Sequence, residues 1–335
     1  MAPQYTKDQP ESFINAIRNV AIVGVRVVNV LFTAIRMLII LQATGQIGKV
    51  FTEHLLKSGK QTVTALTRSG SETQLPYGVK NAPIDYNDEG TLIAALIGQD
   101  FLVITLALSA PRTRIASWSG LRPRQVNPKL LDDIPALKYI LANVQEIEEL
   151  GINWIALTPN FWYEYSLGIG PFTFGFDFPN RTATFYDEGT TKIHTTTWPQ
   201  CGRALAALVN LKKIPVDEND YSVTLAQFCN QPMYISSFTL SQREMFDSIN
   251  KLLGWTDDDW KISYQPTAER YKEGLEELAN GDGTGFLKAL YARVFDPAAG
   301  GIFETHNNVL GLPKEDLDEA TLAAHHWAIA QAKSG

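Results

Sequence analysis

The first half of the chain alternates between short apolar runs and amphipathic segments. The runs VAIVG, QTVTALTR and FLVITLALSAP have the length and composition of buried parallel strands. A weaker strand is predicted at 79–85, and apolar positions recur at helical spacing over 50–56 and 89–97. Strands that alternate with helices predict a parallel sheet with helices on both faces. We therefore expect a Rossmann-type, doubly wound α/β domain over residues 1–159.

Residues 111–135 interrupt this alternation. The segment contains four prolines and shows little periodicity, although a helix is again predicted at 137–150 and a strand at INWIALTP. A doubly wound sheet would place one more helix and one more strand in the interrupted segment. The sequence predicts neither of them there.

The second half of the chain has a different pattern. From residue 160 it is rich in aromatic residues, Gly and Thr, which predicts loops and short strands before a helix at TWPQCGRALAAL. A strand is predicted at 232–238, and Ser241 with Glu244 forms a capping box that begins the next helix. Helices are also predicted at 10–17, 268–279, 286–294 and 317–332. We expect a smaller α+β substrate domain over residues 160–335, with some segments that return to the large sheet.

Composition and charge narrow the class of protein. Hydrophobic residues make up 45% and charged residues 19%, as in ordinary globular proteins, and the net charge of −7 argues against direct nucleic-acid binding. Cys201 and Cys229 form neither a disulfide framework nor a C-x-x-C site, and the five histidines have no metal-ligand spacing. The polar first eighteen residues do not resemble a signal peptide. These features predict a cytoplasmic protein.

The stretch 20–43 is apolar and long enough to cross a bilayer. Arg26, Asn29 and Arg36 interrupt it, and an arginine near the centre of a span costs about 2.5–3.5 kcal/mol on insertion scales. A membrane anchor at 20–43 is therefore only a minor alternative to a globular segment.

The segment TGQIGK, from Thr44 to Lys49, has the composition of a nucleotide-binding turn. Gly45 would let the backbone approach a pyrophosphate, and Gly48 would let the following helix pack close to the sheet. The helix N-terminus would then offer free N–H groups and its positive dipole end to the phosphates. The alternative is a tight strand-to-helix turn, as in any α/β protein.

This turn is split in two. A Gly-x-x-Gly-x-x-Gly turn would have its first glycine at position 42, where this chain has Gln42, and the natural candidate, Gly24, lies upstream. Deletion of residues 25–42 would leave VAIVGATGQIGK, an uninterrupted motif. The 18-residue piece is either a translated intron or a genuine insertion in which RMLIIL becomes the first strand and VAIVG an extra or edge segment. Because a side chain replaces the first glycine, we expect weak nucleotide affinity that the deletion would raise.

Two further sites follow predicted strands. Arg68 ends the second strand of the βαβ unit, where an arginine accommodates the 2′-phosphate of NADP and an acidic residue would favour NAD. Phe161, Trp162 and Tyr163 follow INWIALTP, where ligands of open α/β sheets bind. These aromatic residues predict either a surface for a planar substrate or packing between the two domains.

Taken together, these segments resemble the NmrA-like, isoflavone-reductase-like group of atypical short-chain dehydrogenases, in a form similar to fungal members. The resemblance is carried by VAIVG, ATGQIGK, TALTR, GQDFLVITLA, IEELGINWIAL, NFWYE, TFYDEGTTKIHTTTWPQCGRALAAL and PMYISSF. It implies a Rossmann-type domain, NADP(H), a smaller substrate domain and a small aromatic or conjugated substrate. The group also includes redox-sensing regulators without turnover.

The resemblance extends the set of candidate residues. It places Asp85 near the adenine ring, although a plain turn aspartate is an alternative. It makes Lys138 the nearest match to the catalytic lysine of isoflavone-reductase relatives, about two residues out of register, with an ordinary exposed helix lysine as the alternative. The chain contains no Y-x-x-x-K pair. The cofactor-binding candidates are Gly24, Thr44, Gly45, Gln46, Ile47, Gly48, Arg68, Asp85 and Leu106. The sequence predicts an NADP(H)-dependent oxidoreductase. One alternative is a non-catalytic redox sensor that binds a partner protein, and a second is a variant with impaired cofactor binding.

Overall fold

The structure of the protein, a computed structural model, describes residues 5–23, 37–42, 45–71, 74–85, 87–106, 147–299 and 302–334. The strands are β1 Asn19–Val23, β2 Met37–Gln42, β3 Thr62–Arg68, β4 Lys80–Ile84, β5 Phe101–Leu106, β6 Asn153–Thr158, β7 Phe161–Trp162, β8 Phe176–Asp177, β9 Thr182–Tyr186, β10 Ile193–Thr196, β11 Gln231–Tyr234, β12 Phe238–Leu240 and β13 Lys261–Gln265. The helices are α1 Gly45–Ser58, α2 Glu89–Leu96, α3 Tyr163–Gly168, α4 Trp198–Val209, α5 Gln242–Leu253, α6 Thr267–Ala279, α7 Thr284–Phe295 and α8 Leu317–Ser334.

The chain divides into two compact units. Unit 1 consists of Met1–Thr158, Pro199–Ile235 and His306–Leu312, and unit 2 consists of Pro159–Trp198, Ser236–Thr305 and Pro313–Gly335.

A seven-stranded parallel sheet forms the centre of unit 1. Its strand order is β11-β6-β2-β5-β1-β3-β4, and every neighbouring pair is parallel. The interior strands β1, β2, β5 and β6 are mostly apolar because both faces of such a sheet are covered. Val20, Val63, Phe101 and Ile155 are accordingly fully buried. This architecture confirms the predicted α/β class with a Rossmann-type parallel sheet.

Strand β2 lies inside the sheet, between β5 and β6. It pairs with β5 from Leu38↔Leu102 to Gln42↔Leu106 and with β6 from Met37↔Asn153 to Ile39↔Ile155. In the usual doubly wound order this position belongs to the strand that follows β5 in the chain. Strand β2, which precedes α1 in the chain, therefore occupies this position. Residues 111–135, which follow β5 in the chain, showed no strand pattern that could fill it.

Strand β1 keeps the central position, between β3 and β5. The prediction that VAIVG becomes an extra or edge segment if the insertion is genuine is therefore wrong. The physical reason is that β1 and β2 are both uniformly apolar, so both fit interior positions of one parallel sheet. The two described ends of the 20–43 stretch are thus strands, and among the described residues no helix is long and apolar enough to cross a membrane.

Helix α1 packs against β1, β3 and β5. Ile47, Phe51 and Leu55 lie at helical spacing and are buried, which fixes one face of the helix on the sheet. Gly48 allows the close approach: a Cβ atom at this position would lie 3.4 Å from the Thr105 hydroxyl oxygen on β5. The helix thus covers the centre of the sheet, although β2 rather than β1 precedes it in the chain.

Unit 2 contains two small sheets and five helices among its described residues. Its sheets have the orders β12-β10-β7 and β13-β9-β8. An aromatic core centres on Phe246, whose ring lies 5.7 Å from Phe176, 5.3 Å from Phe185 and 5.1 Å from Trp260. This mixture confirms the predicted α+β class of the second half of the chain.

Helix α5 begins as the sequence predicted. The Ser241 hydroxyl accepts the backbone N–H of Glu244 at 3.3 Å, and the Glu244 carboxylate accepts the backbone N–H of Ser241 at 2.8 Å. The helix ends at Gly254, which has a left-handed φ of 66°. The predicted capping box is confirmed.

Two predicted elements are wrong. Residues 10–17 form no helix, because the Asn15 side chain bonds the backbone N–H and C=O of Ile214 at 3.0 and 2.8 Å and holds this segment in an irregular conformation. The strand predicted at 232–238 is two strands, β11 in unit 1 and β12 in unit 2. The chain changes units after Ile235, and the Ser237 N–H then donates to Thr195 O at 2.9 Å.

Candidate functional site

The carboxyl edge of the parallel sheet gathers several predicted cofactor residues. Arg68 and Leu106 are the last residues of β3 and β5, and Asp85 directly follows β4. The register places Val23 of β1 beside Leu66 of β3 and Ile104 of β5, so these strands end at one edge. Ligands of open α/β sheets bind outside this edge.

The N-terminus of α1 starts at Gly45, as the glycine motif predicted. Gly45 and Gln46 are its first two residues, and no acidic residue lies in the first turn. The backbone N–H groups of a first helical turn have no partner within the helix, and the dipole there favours anions. The buried Ile47 side chain and the close contact of Gly48 fix this turn on the sheet.

The turn that the motif requires does not join β1 to α1. Gln42, at the position of the first glycine, is the last residue of β2 and pairs with Leu106 of β5. The glycine site is therefore split in the fold as well as in the sequence. Gly24 and Thr44 lie outside the described residues.

The Arg68 side chain is exposed at the end of β3. Within the part of the chain that the structure describes, its guanidinium makes no hydrogen bond or ion pair. The backbone turns immediately after it, with the Ser71 N–H donating to Arg68 O at 2.9 Å and Gly70 at a φ of 80°. Arg68 is thus an available cation beside the sheet edge.

Asp85 has the geometry of a turn residue. Its carboxylate accepts the backbone N–H of Asn87 at 2.9 Å and the Asn87 amide at 3.3 Å. The Thr91 hydroxyl also bonds the backbone N–H and C=O of Asp85 at 3.0 and 3.1 Å. The alternative of a plain turn aspartate accounts for these contacts, and a cofactor contact by Asp85 stays a prediction.

The three predicted aromatic residues are not equivalent. Tyr163 is fully buried and its hydroxyl lies 2.7 Å from the Thr321 hydroxyl, and burial raises its pKa. Tyr163 is thus a core residue of unit 2 rather than part of an exposed aromatic surface, because its ring and its hydroxyl are both satisfied internally. Phe161 lies 4.4 Å from the Tyr291 ring, whereas Trp162 ends β7 with a buried indole.

The sequence did not single out the buried carboxylate of Glu164. It is 4% exposed, and its two oxygens accept the backbone N–H of Trp198, at the start of α4, at 3.1 and 3.0 Å. Buried carboxylates are usually hydrogen-bonded in this way. The feature of the sequence that could have identified Glu164 is a single acidic residue inside the aromatic run FWYEY.

A second carboxylate lies in the same part of unit 2. Both Glu315 oxygens accept the Thr197 hydroxyl at 2.8 Å, and the Ser237 hydroxyl also donates to Glu315. The Ser237 hydroxyl oxygen in turn accepts the Thr197 N–H at 3.0 Å. These contacts fix the backbone on the N-terminal side of Trp198.

His194 is a buried titratable group on β10. Its Nδ1 lies 2.9 Å from the Thr239 hydroxyl, and its Nε2 lies 2.9 Å from Phe303 O and 3.2 Å from Phe303 N. Burial lowers the pKa of His194, although its contacts with the backbone of Phe303 and Phe238 act in the opposite direction. The folded protein therefore favours the neutral ring.

We expect this burial to make stability depend on pH. Because the pKa is lower in the folded chain, the unfolded chain takes up the proton first, and stability falls as pH drops through about 6.5. His194→Gln should flatten the fall in the free energy of unfolding between about pH 7.5 and 5.5, measured by urea denaturation. An unchanged slope in this variant would contradict the assignment.

The structure does not describe the candidate catalytic residue. Lys138 lies outside the described residues. Among the residues that are described, no group of three or more His, Cys, Asp or Glu side chains could hold a metal ion.

Comparison with known proteins agrees with this geometry. Residues 43–157 match the sequence model of a family described as NAD(P)H-binding. An oxidoreductase of Aspergillus flavus, aprR, is 23% identical over 84% of this chain and 96% of its own length. The oxidoreductase poxI of Penicillium oxalicum is 21% identical over 83% of this chain and 90% of its own length.

Solved structures show the same fold. An isoflavone reductase superposes with a TM-score of 0.62 at 17% identity, covering 85% of this chain and 97% of its own. An NADPH-dependent quinone oxidoreductase from Escherichia coli, complexed with NADPH, gives 0.59 at 17% identity, covering 85% and 99%. AtPrR2 with NADP+ and (+)pinoresinol gives 0.63 at 15% identity, covering 92% and 98%. The chain therefore combines a match to the NAD(P)H-binding family over residues 43–157 with the fold of isoflavone-reductase-like proteins, as the sequence resemblance predicted.

Proposed function

We propose that the protein is an NADP(H)-binding oxidoreductase that transfers hydride to a small aromatic or conjugated organic substrate. The observation that carries the proposal is the start of α1 at Gly45, above the centre of the parallel sheet, together with the exposed Arg68 at the carboxyl edge, which has no partner among the described residues. The matched NAD(P)H-binding family supports it. Among the solved structures of the same fold, one is described with NADPH and another with NADP+.

The cofactor, when bound, supplies the hydride chemistry, and the protein orients it. The N–H groups of the first turn of α1 would hold the phosphates, and Arg68 would neutralise a 2′-phosphate. The chain has no Y-x-x-x-K pair, and Lys138 stays the nearest match to the catalytic lysine of isoflavone-reductase relatives.

The preference for NADP over NAD gives a direct prediction. Arg68→Gln should weaken NADPH binding about tenfold to hundredfold, because it removes a charge-assisted contact, and should leave NADH binding nearly unchanged. Isothermal titration with both nucleotides measures this. Lys80→Gln is the matched control, since Lys80 is an exposed cation at the opposite, amino-terminal end of neighbouring strand β4. Equal losses in the two variants would contradict a specific 2′-phosphate contact.

A redox sensor without turnover is the second candidate. The absence of a Y-x-x-x-K pair is compatible with both candidates, whereas the sensor is favoured by Gln42, a strand residue at the position of the first glycine. Such a side chain would lower affinity where backbone should approach phosphate. Titration with NADPH and NADP+, followed by a screen of carbonyl and enone substrates, separates the two candidates. NADPH oxidation with a substrate supports the enzyme, whereas redox-dependent binding without turnover supports the sensor.

A further inference from the structure

Strand β13 lies at the edge of the small sheet β13-β9-β8 in unit 2, where it pairs in parallel with β9. The Lys261 N–H and the Gln265 C=O face β9, since they bond backbone groups directly beside that strand at 2.8 and 2.9 Å. Because the backbone groups of a strand alternate in direction, those of Ile262 and Tyr264 point away from β9. Within the described part of the chain, these two N–H and two C=O groups have no hydrogen-bond partner.

The other sheet edges are blocked or short. On β11, the His306 N–H donates to Tyr234 O at 2.7 Å, and the His306 Nδ1 accepts the Tyr234 N–H at 3.1 Å. β4 contains Pro83, and β7, β8 and β12 are two or three residues long. Proteins block their edges in such ways because an open edge pairs with another chain. Lys261 and Pro266 bound β13, but its three central residues carry no such feature.

The open edge of β13 is complementary to itself. In an antiparallel pair, two residues that exchange both backbone hydrogen bonds must each face the partner strand. A two-fold axis at Ser263 places Ile262 opposite Tyr264 of a second copy, and Tyr264 opposite Ile262 of that copy. All the outward backbone groups of both residues are then paired. The two three-stranded sheets become one six-stranded sheet.

The side chains on both faces of β13 fit the same pairing. On one face, the Tyr264 ring is 63% exposed and stacks on Phe185 at 5.5 Å, so an isoleucine opposite it extends this apolar row. On the other face, the exposed Lys261 comes opposite Gln265 of the second copy. The Gln265 Nε2 donates to the Glu273 carboxylate at 2.8 Å, and the Glu273 side chain is 41% exposed. A lysine therefore approaches a carboxylate on each side of the two-fold axis, which favours a second copy of this chain as the occupant.

We propose that the protein forms a two-fold symmetric dimer by antiparallel pairing of β13 with β13 of a second copy. The proposal goes beyond the proposed function, because the pairing involves no cofactor and no residue of the carboxyl edge. An interface of this size is weak. Sedimentation equilibrium of the full-length protein between about 1 µM and about 1 mM should show a reversible monomer–dimer equilibrium. A protein that stays monomeric over this range overturns the proposal, even if a strand of another protein binds the edge.

The predicted register allows a test by disulfide formation. Ser263 faces β9, with its hydroxyl 3.1 Å from the Thr184 hydroxyl, so Ser263 and its copy form a non-hydrogen-bonded pair with Cα atoms about 4.5 Å apart. Ser263→Cys should therefore form an intermolecular disulfide under mild oxidation, detected by mass spectrometry. Lys261→Cys is the matched control, because its own copy lies four residues out of register, about 13 Å along the strand. The wild type, with Cys201 and Cys229, gives the background.

The outcome of this comparison is decisive. Equal cross-linking of the two variants, or no cross-linking of Ser263→Cys above the background, overturns the proposal.

Substitutions of the exposed Tyr264 measure its contribution to the dimer. Tyr264→Lys places a charge on the edge and should raise the dissociation constant at least about tenfold. Tyr264→Phe keeps the ring and should stay within about threefold of the wild type. Both variants should keep the wild-type unfolding transition by circular dichroism, since the side chain is exposed, and both should bind NADPH like the wild type. A dimer that persists in Tyr264→Lys with unchanged affinity would lie on another surface and overturns the proposal.

Discussion

A chain that lacks residues 25–42 should lose its stable fold rather than gain nucleotide affinity. The deletion removes β2, which pairs with β5 and β6 on its two sides in the middle of the sheet. Unpaired buried backbone groups cost about 1–3 kcal/mol each, so several of them exceed the usual 5–15 kcal/mol of total stability. We expect the deleted protein to be insoluble or to show no cooperative unfolding transition by circular dichroism.

A single substitution tests the same pairing more gently. Ile39 pairs with Val103 of β5 and Ile155 of β6, so Ile39→Pro removes a backbone donor from an interior strand. We expect a loss of about 3 kcal/mol in the free energy of unfolding, measured by urea denaturation. Ile39→Val is the matched control, because it keeps the N–H and the β-branched side chain, and it should cost less than about 1.5 kcal/mol.

These experiments also bear on the origin of the inserted piece. A deleted chain that folds and binds NADPH more tightly would support a translated intron, as the joined motif VAIVGATGQIGK suggested. It would also contradict the central position of β2. The intron hypothesis itself stays a prediction, and the sequence of the mature transcript decides it.

Most strands of the large sheet could be predicted from the sequence. VAIVG, QTVTALTR and INWIALTP are continuous apolar or β-rich runs, and each became a strand within two residues of the predicted bounds. The longer run FLVITLALSAP contains β5 over Phe101–Leu106, and the rest of that run lies outside the described residues. Local composition fixes these elements because both faces of a parallel strand are buried. Because these strands have similar compositions, composition does not reveal their order in the sheet.

The position of β2 could not be predicted for this reason. MLIILQ is as apolar as its neighbours, and an apolar run fits any interior position of a parallel sheet. Its place depends on which position the remaining chain leaves open, between β5 and β6. The sequence indicated a missing strand after β5 and an additional strand before α1, but it gave no local signal that the two facts belong together.

Some candidate site residues could be located from the sequence, and others could not. The places of Gly45, Gly48 and Arg68 in the fold could be predicted, because glycine geometry and charge have a direct physical use where a strand ends or a helix begins. Their contacts with a cofactor stay a prediction. Tyr163 was predicted either to form a substrate surface or to pack between the domains, and the sequence did not reveal that its hydroxyl bonds Thr321. Glu164 was not singled out at all, because only the tertiary fold brings its carboxylate to the backbone N–H of Trp198.

Gly285→Ala should destabilise the helix pair α6–α7 strongly, although alanine normally favours a helix. A Cβ atom at position 285 would lie 2.4 Å from Gly274 O and 2.5 Å from Leu278 N, which are backbone atoms that cannot rotate away. The helices would have to separate, so the propensity gain of about 0.5–1 kcal/mol would be outweighed by overpacking. We expect a net loss of about 2–4 kcal/mol in the free energy of unfolding, measured by urea denaturation.

Two comparisons isolate this close approach from other effects on the helix pair. Gly283→Ala is the matched control, because a Cβ atom there meets nothing within 4 Å, and it should change stability by less than about 0.5 kcal/mol. Lys288→Met removes the ion pairs from α7 to Glu273 and Glu277, at 2.8 and 2.6 Å, and should cost about 1 kcal/mol or less because the carboxylates are exposed. If Gly285→Ala cost no more than these two variants, backbone contact between the helices would not be what holds them together.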